Sequence, residues 1–312
     1  MIVVTGASGY LGSHITRQLV AAGSPARAMV RNKAFAQKEG RLAGLNVELA
    51  EADVTRPETL APALEGATAV IHTVAIAIEK GGRTYEKINY QGTVNIVDAA
   101  KAAGVKRFIY ISQLGADAKL PYRFLASKGK AADYVASSDL DWTSFQPSVI
   151  WGPEDEFANS FARLIPLTPF IFPIVGDASS RFQPVWVEDV ATSVIKALND
   201  PATFGKSYQL GGPEVLDLEE IERRTLQAVG LRRRMVHFPM PVLKLFVGIL
   251  EVLLPNPPVT RSLLELLKVS NVTTQNALYQ FVSEPRPFTP ENAAPYMRKF
   301  KVKDTIAQFM GR

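Results

Sequence analysis

Thr5-Gly6-Ala7-Ser8-Gly9-Tyr10-Leu11-Gly12 follows the apolar run Met1-Ile2-Val3-Val4 and opens an amphipathic segment at Tyr10. A strand that must turn at once into a helix needs backbone without a Cβ, and three glycines at this spacing supply it. The free N–H groups at the helix start, together with its dipole, then face any anion lying over the loop. Three glycines alone are weak evidence. With a strand pattern before them, a helical pattern after them and a whole strand–helix–strand unit around them, they read as the loop that cradles a dinucleotide pyrophosphate. Gly6, Ser8, Gly9, Tyr10, Leu11 and Gly12 are its expected contacts.

Working outward, short apolar β-branched runs alternate with longer helical patterns. The strands are expected at Ile2–Thr5, Ala26–Val30, Val47–Leu49, Ala69–Thr73, Phe108–Ser112 and Thr143–Phe145, with helices beginning near Tyr10, Ala34, Pro57, Thr84 and Pro121. In the helix after Thr84, Tyr90, Val94 and Val97 follow i, i+4, i+7 spacing, widened by Ile96, Ala100 and Ala103. Gly104 supplies its left-handed cap. Such alternation predicts an α/β fold: a doubly wound parallel sheet of the Rossmann type, in the order 3-2-1-4-5-6. Residues 1–150 form this domain, with 183–200 returning to it. Residues 151–182 and 201–312 are expected to make a smaller, mainly helical C-terminal lobe.

Of 312 residues, 47% are hydrophobic and 21% charged, with a net charge of +5, ordinary values for a globular chain with a sizeable core. There is no cysteine, which excludes disulfides, thiolate nucleophiles, iron–sulfur ligation and cysteine zinc sites. Only His14, His72 and His237 are present, so no metal site is expected. No basic stripe is interleaved with aromatics, which argues against nucleic acid as a partner. The first strand leaves no room for a leader and no apolar run reaches a membrane span, so a cytoplasmic location is expected.

The second strand ends Met29-Val30-Arg31-Asn32-Lys33, with no acid to hold a ribose 2′-hydroxyl. A carboxylate there would repel a 2′-phosphate, whereas a guanidinium grips it. NADP is therefore the expected cofactor, with NAD the alternative, Arg31 the main contact and Lys33 a helper. Asp53-Val54 ends the third strand, where the carboxylate either meets the adenine amino group or caps the following turn. Thr73-Val74-Ala75 after the fourth strand and Pro147 after the sixth complete the expected cofactor contacts.

With these residues the chain resembles the atypical or extended short-chain dehydrogenases/reductases, the epimerase/dehydratase-like group. The marks are TGASGYLG, VIHTVA, INYQGTVNIVDAAKAAGV, RFIYISQLGA, SFQPSVIWGPEDEF, FQPVWVEDVA and YQLGGPEVLDLEEI. The last three blocks look most like the branch containing the 39-kDa-type accessory subunit of respiratory complex I and its bacterial relatives. The resemblance implies a catalytic Ser at Ser112 and a Tyr-x-x-x-Lys pair whose lysine is Lys128, which binds the nicotinamide ribose and lowers the tyrosine pKa. The tyrosine position holds Phe124, which has no proton to give. Tyr122 lies six residues before Lys128, about 600° around a helix, on a different face. His72 is a further candidate proton relay, or a neutral neighbour of the cofactor. The implied activity is an NADP(H)-dependent oxidoreductase for an apolar, quinone- or lipid-like molecule. The alternative is a catalytically silent nucleotide-binding subunit at a membrane complex.

Arg232-Arg233-Arg234 precedes Pro239 and the run VLKLFVGILEVLL, followed by Ser262 to Lys268. Three readings stand for 239–268: a buried helix, a lid over an apolar pocket, or a helix lying on a membrane beside cations.

Overall fold

The computed structural model describes residues 1–174, 180–238, 240–254, 267 and 269–310. They form two compact units: Met1–Pro147, Val187–Leu210 and Gln275–Glu284 in the first, Ser148–Trp186, Gly211–Thr274 and Pro285–Arg312 in the second.

The first unit is a doubly wound parallel sheet. Its strands are β1 (Ile2–Thr5), β2 (Ala26–Val30), β3 (Glu48–Glu51), β4 (Ala69–His72), β5 (Arg107–Ile111), β6 (Asp141–Pro147) and β7 (Lys206–Leu210), in the spatial order 7-6-5-4-1-2-3. All neighbours are parallel, with Ile2 opposite both Ala26 and Ala69. The expected order holds for six strands, and β7 extends it beside β6, pairing Lys206 with Thr143. Parallel strands buried on both faces are apolar almost throughout, and β5 is buried at every position, Arg107 included. Val3, Val70 and Phe108 pack on one face against Ile96, Val97 and Ala100.

Helices α1 (Tyr10–Ala21), α2 (Lys33–Lys38), α3 (Leu60–Leu64), α4 (Gly92–Ala102), α5 (Arg123–Ala136) and α6 (Val187–Leu198) flank the sheet. Arg107 enters the core from the start of β5 and ties three connections together. Its guanidinium donates to the carbonyls of Asp141, Ala197 and Leu198 and to the Thr143 and Thr203 hydroxyls, and it covers the Phe204 ring. Five acceptors in fixed fork geometry are what make burying this cation tolerable.

Four expectations differ from the structure. The third strand is Glu48–Glu51 rather than Val47–Leu49, because an edge strand has little apolar periodicity to mark it. Lys206–Leu210 belongs to the sheet, so the first unit keeps residues that the sequence assigns to the lobe. Val185–Trp186 pairs with Ile150–Trp151 in the second unit, and the return to the first begins at Val187. The helix after Thr84 starts as one wide π-type turn, Glu86–Gln91, before α4 proper, and this rotates the buried stripe. Ala103, the C-cap beyond the last helical residue, is exposed, while Gly104 takes the left-handed conformation as expected, at φ +74°.

The second unit is built on an aromatic core of Trp151, Phe161, Phe172, Phe182 and Phe288 with Ile221 and Met297. Its helices include Ala158–Leu164, Leu218–Val229, Met240–Leu253, Pro290–Met297 and Val302–Phe309, with paired strands Ile171–Ile174 and Arg234–His237. Among the described residues no helix is long and apolar enough to cross a membrane.

Candidate functional site

Within the first unit the C-terminal ends of β1, β2 and β4 open onto a cleft of about 390 Å³. This is where a doubly wound sheet leaves a crevice, between helices running to opposite faces. Its floor is the glycine loop. Gly6 takes φ +69°, and a Cβ there would stand 2.8 Å from Thr73 Oγ1. A Cβ on Gly12 would overlap the Gly6 carbonyl oxygen. The Gly9 amide donates to the Gly6 carbonyl at 2.8 Å, closing the turn. Helix α1 then begins with no side-chain cap and no acid in its first turn, so its leading N–H groups face the loop uncompensated.

Gly6, Ser8, Gly9, Arg31, Asp53, Val54, Thr73, Val74 and Ala75 line the cleft together. The other expected contacts stand elsewhere. Leu11 and Gly12 are buried, Tyr10 is half-buried, and none of the three lines the cleft. Lys33 is exposed at the start of α2, its amide donating to Glu51 Oε2 at 2.9 Å, and it too is off the cleft.

Three cations that sequence reasoning overlooked join Arg31: Arg41, Arg83 and Lys87. Arg41 arrives from the loop after α2, its Nη1 3.4 Å from the Ser8 carbonyl. Arg83 is delivered by a tight hairpin in which Lys80 and Arg83 pair and Gly81 and Gly82 take φ +58° and +76°. Two consecutive left-handed residues are the reason for the double glycine. Asp53 is the single carboxylate among the lining residues. Burial pushes its carboxyl up, but the Thr55 N–H and hydroxyl, with Arg31 and Arg83, outweigh burial and hold it below the usual carboxylate range. Burial and the neighbouring Arg31 lower the Arg83 guanidinium, with Asp53 opposing. Like charges crowded this way are relieved by an anion.

Of the expected catalytic residues, Ser112 follows β5 and Lys128 lies on helix α5 with Phe124, all off the cleft lining. Ser112 is buried, its Oγ without a hydrogen-bond partner among the described residues. Lys128 is 3% exposed, donates to the Ile111 carbonyl at 2.6 Å and lies 4.5 Å over the Tyr110 ring. Burial lowers its ammonium from 10.5 to about 7. Phe124 packs edge-on against Tyr85, ring centroids 5.6 Å apart. The Tyr85 hydroxyl is spent on the Ala77 carbonyl at 2.8 Å. Pro147 is buried at the end of β6, its carbonyl accepting from Leu114.

Two candidate proton donors are poorly placed. Helix α5 begins only at Arg123, leaving Tyr122 as an exposed residue at its N-terminus. His72 is wholly buried, its Nδ1 2.6 Å from Thr5 Oγ1 and its Nε2 3.0 Å from Thr93 Oγ1. Burial, then the nearby Lys128, lowers its imidazole to about 3. It is a neutral core residue stacked on Tyr110. Asn89, also overlooked, sits in the π-type turn. It takes the Ile76 amide at 2.8 Å and donates to the Ile76 carbonyl and Ser127 Oγ, pinning the loop after β4 to α5. Of the other histidines, His14 pairs with Glu188 between α1 and α6, and His237 is exposed, its Nε2 3.4 Å from Glu219 Oε2.

Among the described residues no group of His, Asp or Glu could hold a metal ion. Residues 6–201 match a family model described as NAD(P)H-binding. A mitochondrial NADH dehydrogenase [ubiquinone] 1 alpha subcomplex subunit 9 of Arabidopsis thaliana is 29% identical over 245 residues, 77% of this chain and 61% of that protein. The chain thus spans less than two thirds of that relative. A ceramide reductase of Caulobacter vibrioides is 27% identical over 77% of this chain and 74% of its own. Among solved structures, gox2253 superposes with a TM-score of 0.73 at 26% identity, covering 97% of this chain and 99% of that one. The Thermus thermophilus UDP-glucose 4-epimerase in complex with NAD superposes at 0.69 and 18% identity, over 96% and 99%.

Proposed function

Because the chain belongs to the NAD(P)H-binding family and is a relative of the atypical short-chain dehydrogenases/reductases, we propose that it is an NADP(H)-dependent oxidoreductase acting on an apolar small molecule of quinone or lipid type. The observation that carries the reading is the cleft's charge: Arg31, Arg41, Arg83 and Lys87 against Asp53 alone. NADP brings a 2′-phosphate besides its pyrophosphate, and guanidinium pairs suit that group. The cradle that Cβ atoms at Gly6 and Gly12 would fill fits the pyrophosphate. The ceramide reductase relative supports a lipid-type substrate.

In this reading Arg31 and Arg83 bracket the 2′-phosphate, Arg41 steadies the glycine loop, and Lys128 holds the nicotinamide ribose. The nicotinamide, when bound, supplies or accepts hydride. Ser112 Oγ orients the substrate oxygen. With His72 sealed in the core and Tyr122 exposed, water is the proton source that remains.

A second reading, a catalytically silent nucleotide-binding subunit of a membrane complex, is favoured by one observation. Phe124 and Tyr85 fill the usual acid's place with an aromatic pair. NADPH oxidation with a panel of quinones and long-chain ketones separates the two. The first expects turnover that Ser112→Ala lowers by about tenfold or more. Tight NADPH binding by an inert wild type, with turnover appearing only in Phe124→Tyr, would establish the second.

A further inference from the structure

Helix Met240–Leu253 of the second unit turns an apolar face outward. Val242, Leu245, Ile249, Val252 and Leu253 are 50, 69, 48, 84 and 68% exposed. On a helix advancing about 100° per residue, these five share an arc roughly 100° wide. Leu243 and Val247 lie outside that arc and are buried, Val247 in the aromatic core. Of the sequence alternatives, a wholly buried helix is thus removed for 240–254. Residues 239, 255–266 and 268 of that stretch lie outside the described residues.

The terminal helix of the same unit repeats the pattern. Val302, Ile306 and Met310, at i, i+4 and i+8, are each nearly half exposed. The run Arg298-Lys299-Phe300-Lys301-Val302-Lys303 brings four exposed cations to its start. Upstream of the first helix, Arg232 and Arg234 are also exposed. The Arg234 amide donates to the carbonyl of Phe170, whose ring is 80% exposed beside Ile171. Apolar stripes and cations therefore occur together in both places.

We propose that the second unit docks on an anionic lipid surface, these two helices lying in the interface without crossing it. Helices of this kind sink their apolar side chains to the acyl boundary while flanking Lys and Arg meet anionic headgroups. The cations decide the occupant. A second copy seated symmetrically on either stripe would set that stripe's own cations against their copies, whereas an anionic bilayer takes both the apolar side chains and the charge. The inference goes beyond the proposed redox activity and stands without it.

Co-sedimentation of the full chain with vesicles tests it, using phosphatidylcholine alone and equal parts phosphatidylcholine and phosphatidylglycerol. The protein is expected to pellet with the mixed vesicles, and salt should weaken the association. Leu245→Glu with Val252→Glu abolishes pelleting. Lys301→Gln with Lys303→Gln lowers the partition coefficient by roughly tenfold or more. All variants are expected to keep the wild-type tryptophan emission, which verifies that the second unit folds, since Trp151 lies in its aromatic core. Failure of the wild type to pellet with anionic vesicles, or pelleting unchanged in both variants, would overturn the proposal. So would a dimer in sedimentation velocity that the Leu245→Glu, Val252→Glu variant dissociates while vesicle binding is absent.

Discussion

Replacing Lys128 by Met should stabilise the protein at neutral pH, and the gain should disappear in alkali. The ammonium is 3% exposed and its one hydrogen bond goes to the Ile111 carbonyl. Burial lowers its pKa from 10.5 to about 7, so the charged form is penalised in the native state by roughly 5 kcal/mol. Below pH 7 the lysine is protonated in both native and unfolded chains, and the native state carries the whole penalty. Between pH 7 and 10.5 the unfolded chain binds the extra proton, so wild-type stability rises with pH. Above 10.5 both forms are neutral and the penalty is gone. Met keeps the aliphatic stem and leaves the Ile111 carbonyl without its donor, which costs about 1 kcal/mol. The variant should therefore exceed the wild type by roughly 4 kcal/mol at pH 6 to 7, the difference shrinking to nothing or slightly reversing near pH 10. Urea unfolding of the cofactor-free proteins, followed by tryptophan fluorescence at a series of pH values, measures this. Parallel stability curves for the two proteins, or a variant destabilised at pH 7, would refute a buried, charge-penalised lysine.

Two further outcomes follow from the geometry. Gly12→Ala puts a methyl group into the Gly6 carbonyl, so NADPH affinity should fall about tenfold or more with a lower Tm; calorimetric titration matching the wild type would contradict the cradle. Arg107→Met strands the Asp141, Ala197 and Leu198 carbonyls and should cost about 3 kcal/mol in urea unfolding, whereas a neutral result would mean that water replaces the guanidinium.

The parts of this fold that the residue text conveys are those governed by local rules. Val3, Val4, Ile71 and Ile109 lie in continuous apolar runs, and buried parallel strands require such runs. Edge strands are free of that requirement. Lys206–Leu210 has two exposed and two half-buried residues among its five, and so reads as loop. The π-type turn at Glu86–Gln91 breaks the 3.6-residue period on which helix recognition depends, so Tyr90 and Val94, read as core, are half-buried while Thr93 is buried. At the site, the glycine loop and Arg31 are legible because both adjoin a strand whose end is obvious. Arg41, Arg83 and Lys87 come from loops and a turn whose direction depends on tertiary contacts, the Gly81-Gly82 hairpin among them. That double glycine was the one available signal for Arg83. Phe124 is legible through the family resemblance, which puts a tyrosine four residues before Lys128. The place of His72 is not, since Thr5 and Thr93, its hydrogen-bond partners, are distant in the chain.

Comparative titration shows whether the cleft is built for a 2′-phosphorylated dinucleotide, as its four cations against Asp53 suggest. NADPH and NADH are titrated by fluorescence against the wild type, Arg31→Ala and Arg83→Ala. The wild type is expected to bind NADPH more tightly than NADH. Each substitution should weaken NADPH by about tenfold to a hundredfold, as expected for a lost charged hydrogen bond to phosphate, and leave NADH within about twofold. Equal affinities for the two nucleotides, unchanged in both variants, would contradict a cleft built for the 2′-phosphate.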